Sequence, residues 1–140
     1  MTNENMNYAA ASATGLTPTG LVVRLYETLI ADLGRAIIAV HDGDIEKRTF
    51  ELQHALTIIG HLQGALDMNL GGEPAVLLDR FYTLARNRIF ESQVKQSAKS
   101  LEELMQGLID LRDAWSQVEK SLSPAASPSI DPDHPSQWIA

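Results

Sequence analysis

The sequence predicts an all-α protein, an antiparallel up-down-up-down four-helix bundle. Apolar residues recur three or four positions apart from residue 17 to residue 122, which is the spacing of one helix face. Pro18 and Pro74 stand where helices can begin, and the other four prolines all lie beyond residue 123. Short turns separate four apolar stripes, and short turns between long helices make neighbouring helices antiparallel.

The first two helices have clear start and stop signals. The first is predicted over residues 18–41, with Thr17 as its N-cap and Gly43 after its last turn. Asp44 is the N-cap of the second helix, whose apolar stripe continues to Leu66. A double glycine, residues 71–72, then breaks the helical pattern.

The second half of the bundle is predicted to consist of a short helix and a long one. The third helix starts near Pro74 and is predicted to be the shortest of the four. The fourth opens after Ser97 or Ser100 and repeats apolar residues as a heptad seam, which predicts a core-facing stripe. The seam consists of Leu101, Leu104, Leu108, Leu111, Trp115, Val118 and Leu122.

The two ends of the chain differ in composition from this bundle domain of residues 17–122. Residues 1–16 are rich in Asn, Ala, Ser and Thr and have one aromatic residue, Tyr8, which predicts a flexible N-terminal arm. Residues 123–140 contain four prolines and Trp138. Prolines oppose a continuous helix, so this tail is predicted to be disordered.

Composition excludes several functional classes. The 140 residues with 44% hydrophobic content suit one domain with a real core, and the absence of cysteine removes disulfides and Cys-ligated metals. Eleven basic residues against eighteen acidic ones argue against nucleic-acid binding. The first basic residue is Arg24 and no apolar run is long enough to span a bilayer, so we expect a cytosolic protein without membrane insertion.

Two histidines on the second helix are candidates for a metal site or a phosphotransfer site. Glu51 and His54 form a Glu-x-x-His unit, but a di-iron bundle needs two such units, and we expect both side chains to point to water. His54 and His61 also resemble the accepting histidine of a phosphotransfer bundle, yet neither has the neighbouring Lys that would hold a phosphoryl group. We therefore expect no catalytic residue, no metal and no cofactor, and keep a phosphotransfer module and an unrelated helical adaptor as alternatives.

Apolar residues exceed what one core stripe per helix needs, which fits either a broad core with scattered exposed apolar side chains or a hydrophobic groove for a partner segment. Trp115 is assigned to the core or to a plug at the end of the bundle. The other residues assigned to the core are Leu25, Leu29, Leu52, Ile59, Leu104, Leu108 and Leu111. The residues off the stripes, or at its rim, are assigned to partner binding. They are Ile58, Leu62, Leu66, Leu77, Leu84, Met105 and Ile109.

Several segments, taken in order, resemble the FliS family of flagellar export chaperones. The resemblance covers residues 17–121, and its most specific parts are the glycine turn and the Asp-Ala-Trp near the end of the fourth helix. The segments are Pro18-x-x-Leu21, Leu25-Tyr26-Glu27, Gly43-Asp44-Ile45-Glu46-Lys47, Leu66-Asp67-Met68-x-x-Gly71-Gly72-Glu73-Pro74-Ala75, Phe81-Tyr82 and Leu111-Arg112-Asp113-Ala114-Trp115. Gly20 departs from the family pattern in the opening turn.

The resemblance implies a four-helix bundle and a cytosolic chaperone without enzymatic activity. Such a chaperone binds the disordered C-terminal segment of flagellin in a hydrophobic groove, prevents premature polymerisation and assists type III flagellar export. It further implies contacts with the flagellar export gate and with flagellar regulators. In the family the N-terminal arm can fold over the client site, which would make Tyr8 part of a lid.

Overall fold

The computed structural model describes residues 17–121, and in that range it contains four helices and no strand. The helices are α1 (Pro18–Asp42), α2 (Ile45–Gly64), α3 (Gly72–Lys95) and α4 (Ala98–Ser121). The all-α four-helix prediction is confirmed. The expected N-terminal arm with Tyr8 and the whole predicted tail of residues 123–140, including Trp138, lie outside the described residues.

The cap residues act at the first two helices as the sequence predicts. Thr17 Oγ1 accepts a hydrogen bond from the Gly20 amide at 2.9 Å, and Asp44 Oδ1 accepts one from the Lys47 amide at 3.0 Å. Gly43 follows α1 with φ of 70°, a left-handed conformation that glycine adopts without steric cost. Local sequence therefore determines both ends of α1.

The lengths of the middle helices differ from the prediction. α2 has 20 residues and α3 has 24, so the third helix is not the shortest. The stripe of the second helix runs to Leu66, but α2 ends at Gly64, and Leu66 is buried from the following turn instead. Asp67 Oδ1 holds that turn by accepting hydrogen bonds from the amides of Asn69 and Leu70.

Cross-helix pairs fit an antiparallel arrangement of neighbouring helices. Thr17, just before α1, donates to Glu119 near the end of α4, whereas His41 near the end of α1 lies 3.9 Å from Glu102 near the start of α4. α1 packs against α2 and α4, and α3 closes the ring by packing against the same two helices. Gln63, on the last turn of α2, accordingly reaches Asp79 near the start of α3.

The core runs along the bundle axis and includes most of the predicted seam. Buried residues on every helix contribute to it, among them Leu29, Leu33, Leu52, Ile59, Tyr82, Ile89, Leu101, Leu104, Leu108 and Trp115. Tyr26 and Tyr82 meet across the core, and Trp115 also hydrogen-bonds Tyr26. Burial of these polar side chains is compatible with stability because their hydrogen-bonding groups are paired.

A polar network joins α1 to α2 and corrects one expectation. Asp32 is fully buried and pairs with Arg35 at 2.7 Å and with His54 Nδ1 at 2.5 Å, while Arg35 Nε donates to Glu51 at 3.0 Å. The hydrogen bond to Glu51 raises the pKa of Arg35. The prediction that Glu51 points to water is therefore wrong, because this carboxylate is buried against α1.

Candidate partner-binding groove

The groove lies along the seam between α3 and α4. Leu77, Phe81 and Leu84 are spaced four and three residues apart on α3, so they share one flank of that helix. Leu77 is 54% exposed and Leu84 is 47% exposed. The two leucines thus leave much of their apolar surface in solvent beside the partly buried ring of Phe81.

An apolar pocket of about 460 Å³ opens at the deeper part of this seam. Its wall from α3 is formed by Pro74, Leu77, Leu78 and Phe81, and its wall from α4 by Gly107 and Leu111. A Cβ placed on Gly107 would lie 3.6 Å from the Phe81 ring, which is an ordinary van der Waals contact, so Phe81 packs directly beside the α4 backbone at this position. No charged residue lines this pocket.

The same seam becomes polar toward the end of α3. A second pocket of about 430 Å³ begins at Leu84 and includes Arg88, Lys99 and Glu103 in its lining. Arg88 Nη1 donates to Glu103 Oε2 at 2.8 Å across the seam. The groove is therefore apolar near the start of α3 and charged near the start of α4, which suits a segment with apolar anchors followed by polar residues.

Three of the seven predicted partner-binding residues are located in the core. Ile58, Leu62 and Leu66 are buried among the cluster that fills the bundle. Ile58 is one turn from His54, whose partner Asp32 is on α1, so this flank of α2 is covered by α1. A partner that stays outside the bundle does not reach these three side chains.

Met105 and Ile109 occupy a different surface from Leu77 and Leu84. They lie on α4 four residues apart, and Ser116, seven residues beyond Ile109, repeats their helical position. Ser116 lines a pocket between α4 and α1, so Met105 and Ile109 belong to the flank of α4 that faces α1. Both side chains are partly buried. The predicted groove residues outside the core therefore border α4 on both sides.

Sequence reasoning overlooked Phe81 and Gly107 as groove residues. A signal for Phe81 was available, because adjacent residues on a helix point about 100° apart and Phe81 and Tyr82 cannot face one core together. Tyr82 takes the core position and Phe81 turns to the seam. Nothing in the local pattern marks Gly107, whose role depends on the ring opposite.

A metal-ligating cluster and a membrane-spanning helix are both absent from the described residues. Between residues 17 and 121 no group of three His, Asp or Glu side chains could hold a metal ion. In the same range, no helix is both long and apolar enough to cross a membrane.

The fold and the seam define a class of protein, a helical bundle with an apolar groove of the kind that holds a partner segment. The family model of the flagellar protein FliS matches residues 1–122. The chain belongs to the FliS family, whose matched members are flagellar secretion chaperones.

Individual relatives match most of the chain. The flagellar secretion chaperone FliS of Salmonella typhimurium is 30% identical over 112 residues, which cover 79% of this chain and 80% of that protein. The one from Campylobacter jejuni is 27% identical over 105 residues, covering 75% and 82%. The one from Bacillus subtilis is 27% identical over 114 residues, covering 81% and 84%.

Proposed function

We propose that the α3–α4 groove binds the C-terminal segment of flagellin and keeps it from polymerising before export. The observation that carries this proposal is the pair of half-exposed leucines, Leu77 and Leu84, beside an apolar pocket on a chain of the FliS family. An amphipathic client segment could bury its apolar face against them. Burial of apolar area is the main favourable contribution to such an association.

The size of the surface fits a client that has to be ordered on binding. Ordering a disordered segment costs several kcal/mol, so the contact has to extend over a large area. Met105 and Ile109 offer a second, partly buried apolar surface on the other flank of α4, which a client that crosses the polar outer face of that helix could also contact. We infer that the complex forms in the cytosol and is delivered to the flagellar export gate, with flagellar regulators as further partners.

Titration calorimetry with a peptide of the flagellin C-terminus, from the same genome, tests this function. We expect binding with a negative heat-capacity change, which reports burial of apolar surface. Full burial of a leucine contributes about 1.5–3 kcal/mol, and these two side chains are about half exposed, so Leu77→Asp and Leu84→Asp should each weaken binding by about fourfold to tenfold. Met105→Asp and Ile109→Asp test the second flank.

A matched control is available on α2. Phe50 is 69% exposed and lies outside the α3–α4 groove, so Phe50→Asp also replaces an exposed apolar side chain by a carboxylate, but on another surface. We expect Phe50→Asp to leave the affinity unchanged. Equal loss from Phe50→Asp and Leu77→Asp, or no binding by the folded wild-type chain, would contradict the proposal.

A further inference from the structure

The residues that follow α4 include an apolar anchor that the family match does not contain. The FliS model ends at residue 122, and beyond it the chain carries Ile130, Trp138 and Ile139 among four prolines. Trp138 is one of two tryptophans, and the other, Trp115, is buried in the core. A tryptophan side chain next to an isoleucine offers the kind of apolar surface that commonly anchors a segment in a pocket.

The position of the α3–α4 pocket makes it accessible to this segment. α4 ends at Ser121, and Leu111 in the pocket wall lies ten residues earlier, about 15 Å along the helix axis. Residues 122–137 lie between Ser121 and Trp138, and these sixteen residues span up to about 55 Å when extended. The connection is therefore long enough to reverse direction at the end of α4 and to reach the pocket.

We propose that the C-terminal segment of this chain, through Trp138 and Ile139, occupies the apolar part of the α3–α4 groove when no client is bound. The pocket suits this occupant, because its lining is apolar and its volume of about 460 Å³ is within the range that binds small organic groups. The prolines of the segment reduce the conformational freedom that docking has to remove.

Because the segment is tethered to the bundle, even a weak contact is sufficient to fill the groove for much of the time. A short linker holds its end group near the site at an effective concentration of about 1 mM, so a contact with a dissociation constant of about 1 mM fills the groove half of the time. This occupancy shields Leu77 and Phe81 from other molecules. A client with higher affinity displaces the segment, and this last step rests on the proposed function.

The docking itself can be tested without flagellin. In the full-length protein the two indole N–H groups give separate NMR signals, which Trp138→Phe assigns. We expect Leu77→Asp to move the Trp138 signal to its position in the urea-unfolded chain, and Phe50→Asp to leave it in place. The Trp115 signal should stay unchanged in both variants, which verifies that the bundle is folded.

Several outcomes would overturn docking of this segment within one molecule. A Trp138 signal that already matches the unfolded chain, or that ignores Leu77→Asp, would exclude it. If the ring signals of Tyr8 respond to Leu77→Asp instead, the N-terminal arm is the occupant. A Trp138 signal that depends on protein concentration would mean that the segment docks on a second copy.

The link to the client is a separate measurement. If the segment competes, Trp138→Ser should raise the affinity for the flagellin peptide by the reciprocal of the free fraction, about twofold for half occupancy. Unchanged affinity together with a Leu77-dependent Trp138 signal would place client and segment on different surfaces and overturn displacement. Failure of the peptide to bind any variant would contradict the proposed function and leave the NMR result valid.

Discussion

The hydroxyl oxygens of Tyr26 on α1 and Tyr82 on α3 lie 2.5 Å apart in the bundle core. The two helices stand diagonally in the ring, so this hydrogen bond crosses the centre of the bundle rather than a seam between neighbours. Trp115 on α4 also forms a hydrogen bond with Tyr26, and the indole N–H of Trp115 is the donor because an indole has no acceptor. Three helices are thereby linked through one polar cluster inside an apolar core.

The free energy of unfolding should fall less in the double variant without both hydroxyls than the sum of the losses in the two single variants. Tyr82→Phe leaves the buried Tyr26 hydroxyl without that partner, which should lower the free energy of unfolding by about 1–3 kcal/mol. In the double variant Tyr26→Phe, Tyr82→Phe no unpaired tyrosine hydroxyl is left, so the loss should be smaller than the sum of the single losses. Urea unfolding of all four proteins in a double-mutant cycle measures the coupling. Additive losses would show that the hydroxyls do not stabilise each other.

The same pair should make the fold sensitive to alkaline pH. Burial raises the pKa of Tyr26 to about 12, and raises that of Tyr82 well above its usual value of 10.0. Above about pH 10 the unfolded chain loses tyrosine protons that the folded chain keeps, so the free energy of unfolding falls as pH rises. This stabilisation is complete below about pH 10 and is lost as pH rises toward about 12, amounting to about 3 kcal/mol for Tyr26.

Urea midpoints across the alkaline range measure this effect. We expect the wild-type midpoint to decrease above about pH 10 and the double Phe variant to show a weaker decrease over the same range. A parallel decrease in both proteins would assign the alkaline sensitivity to groups other than these two tyrosines.

The helix ends that depend on neighbouring residues were predicted correctly from the sequence. Thr17, Asp44 and Gly43 act where the pattern placed them, because capping and left-handed turns need only neighbouring residues. The length of α2 was wrong, since Leu66 continues the apolar spacing although the helix has already ended at Gly64. A turn residue can be buried as completely as a helical one, and spacing alone does not distinguish them.

The groove was harder to predict because periodicity identifies a flank without identifying what covers it. Ile58 and Leu77 both lie off the main stripe of their helices. Ile58 is covered by the closely packed α1, whereas Leu77 lies beside an open pocket between α3 and α4. The exposure of these positions depends on how the helices are spaced around the ring, which the sequence of one helix does not contain.

The network around Asp32 should contribute more to stability than a surface ion pair. The fully buried carboxylate accepts a hydrogen bond from Arg35 and pairs with His54. Asp32→Asn keeps the shape and removes the charge, and should lower the free energy of unfolding by about 1.5–3 kcal/mol. Glu91→Gln, which breaks the exposed pair with Lys95, should cost less than about 0.5 kcal/mol. Equal losses of unfolding free energy in Asp32→Asn and Glu91→Gln would show that the buried network contributes no more than a surface ion pair.

Two glycines of α1 should respond in opposite ways to the same substitution. A Cβ at Gly34 would meet nothing within 4 Å, so Gly34→Ala should stabilise the protein by about 0.5–1 kcal/mol through higher helix propensity. A Cβ at Gly20 would lie 3.2 Å from Thr17 Oγ1 and 3.3 Å from Glu119 Oε1. The glutamate also accepts the hydrogen bond from Thr17 that joins α4 to the start of α1.

Gly20→Ala should therefore give no gain, or a loss, in urea unfolding, because Glu119 has to move and its bond to Thr17 is disturbed. The close approach explains why an unfavourable helix former occupies the first turn. In a Glu119→Ala background the contact with Thr17 Oγ1 remains but the one with Glu119 is removed, so Gly20→Ala should be less unfavourable there than in the otherwise unchanged chain. Equal gains from Gly20→Ala and Gly34→Ala in the otherwise unchanged chain would show that the contact with Glu119 does not constrain this position.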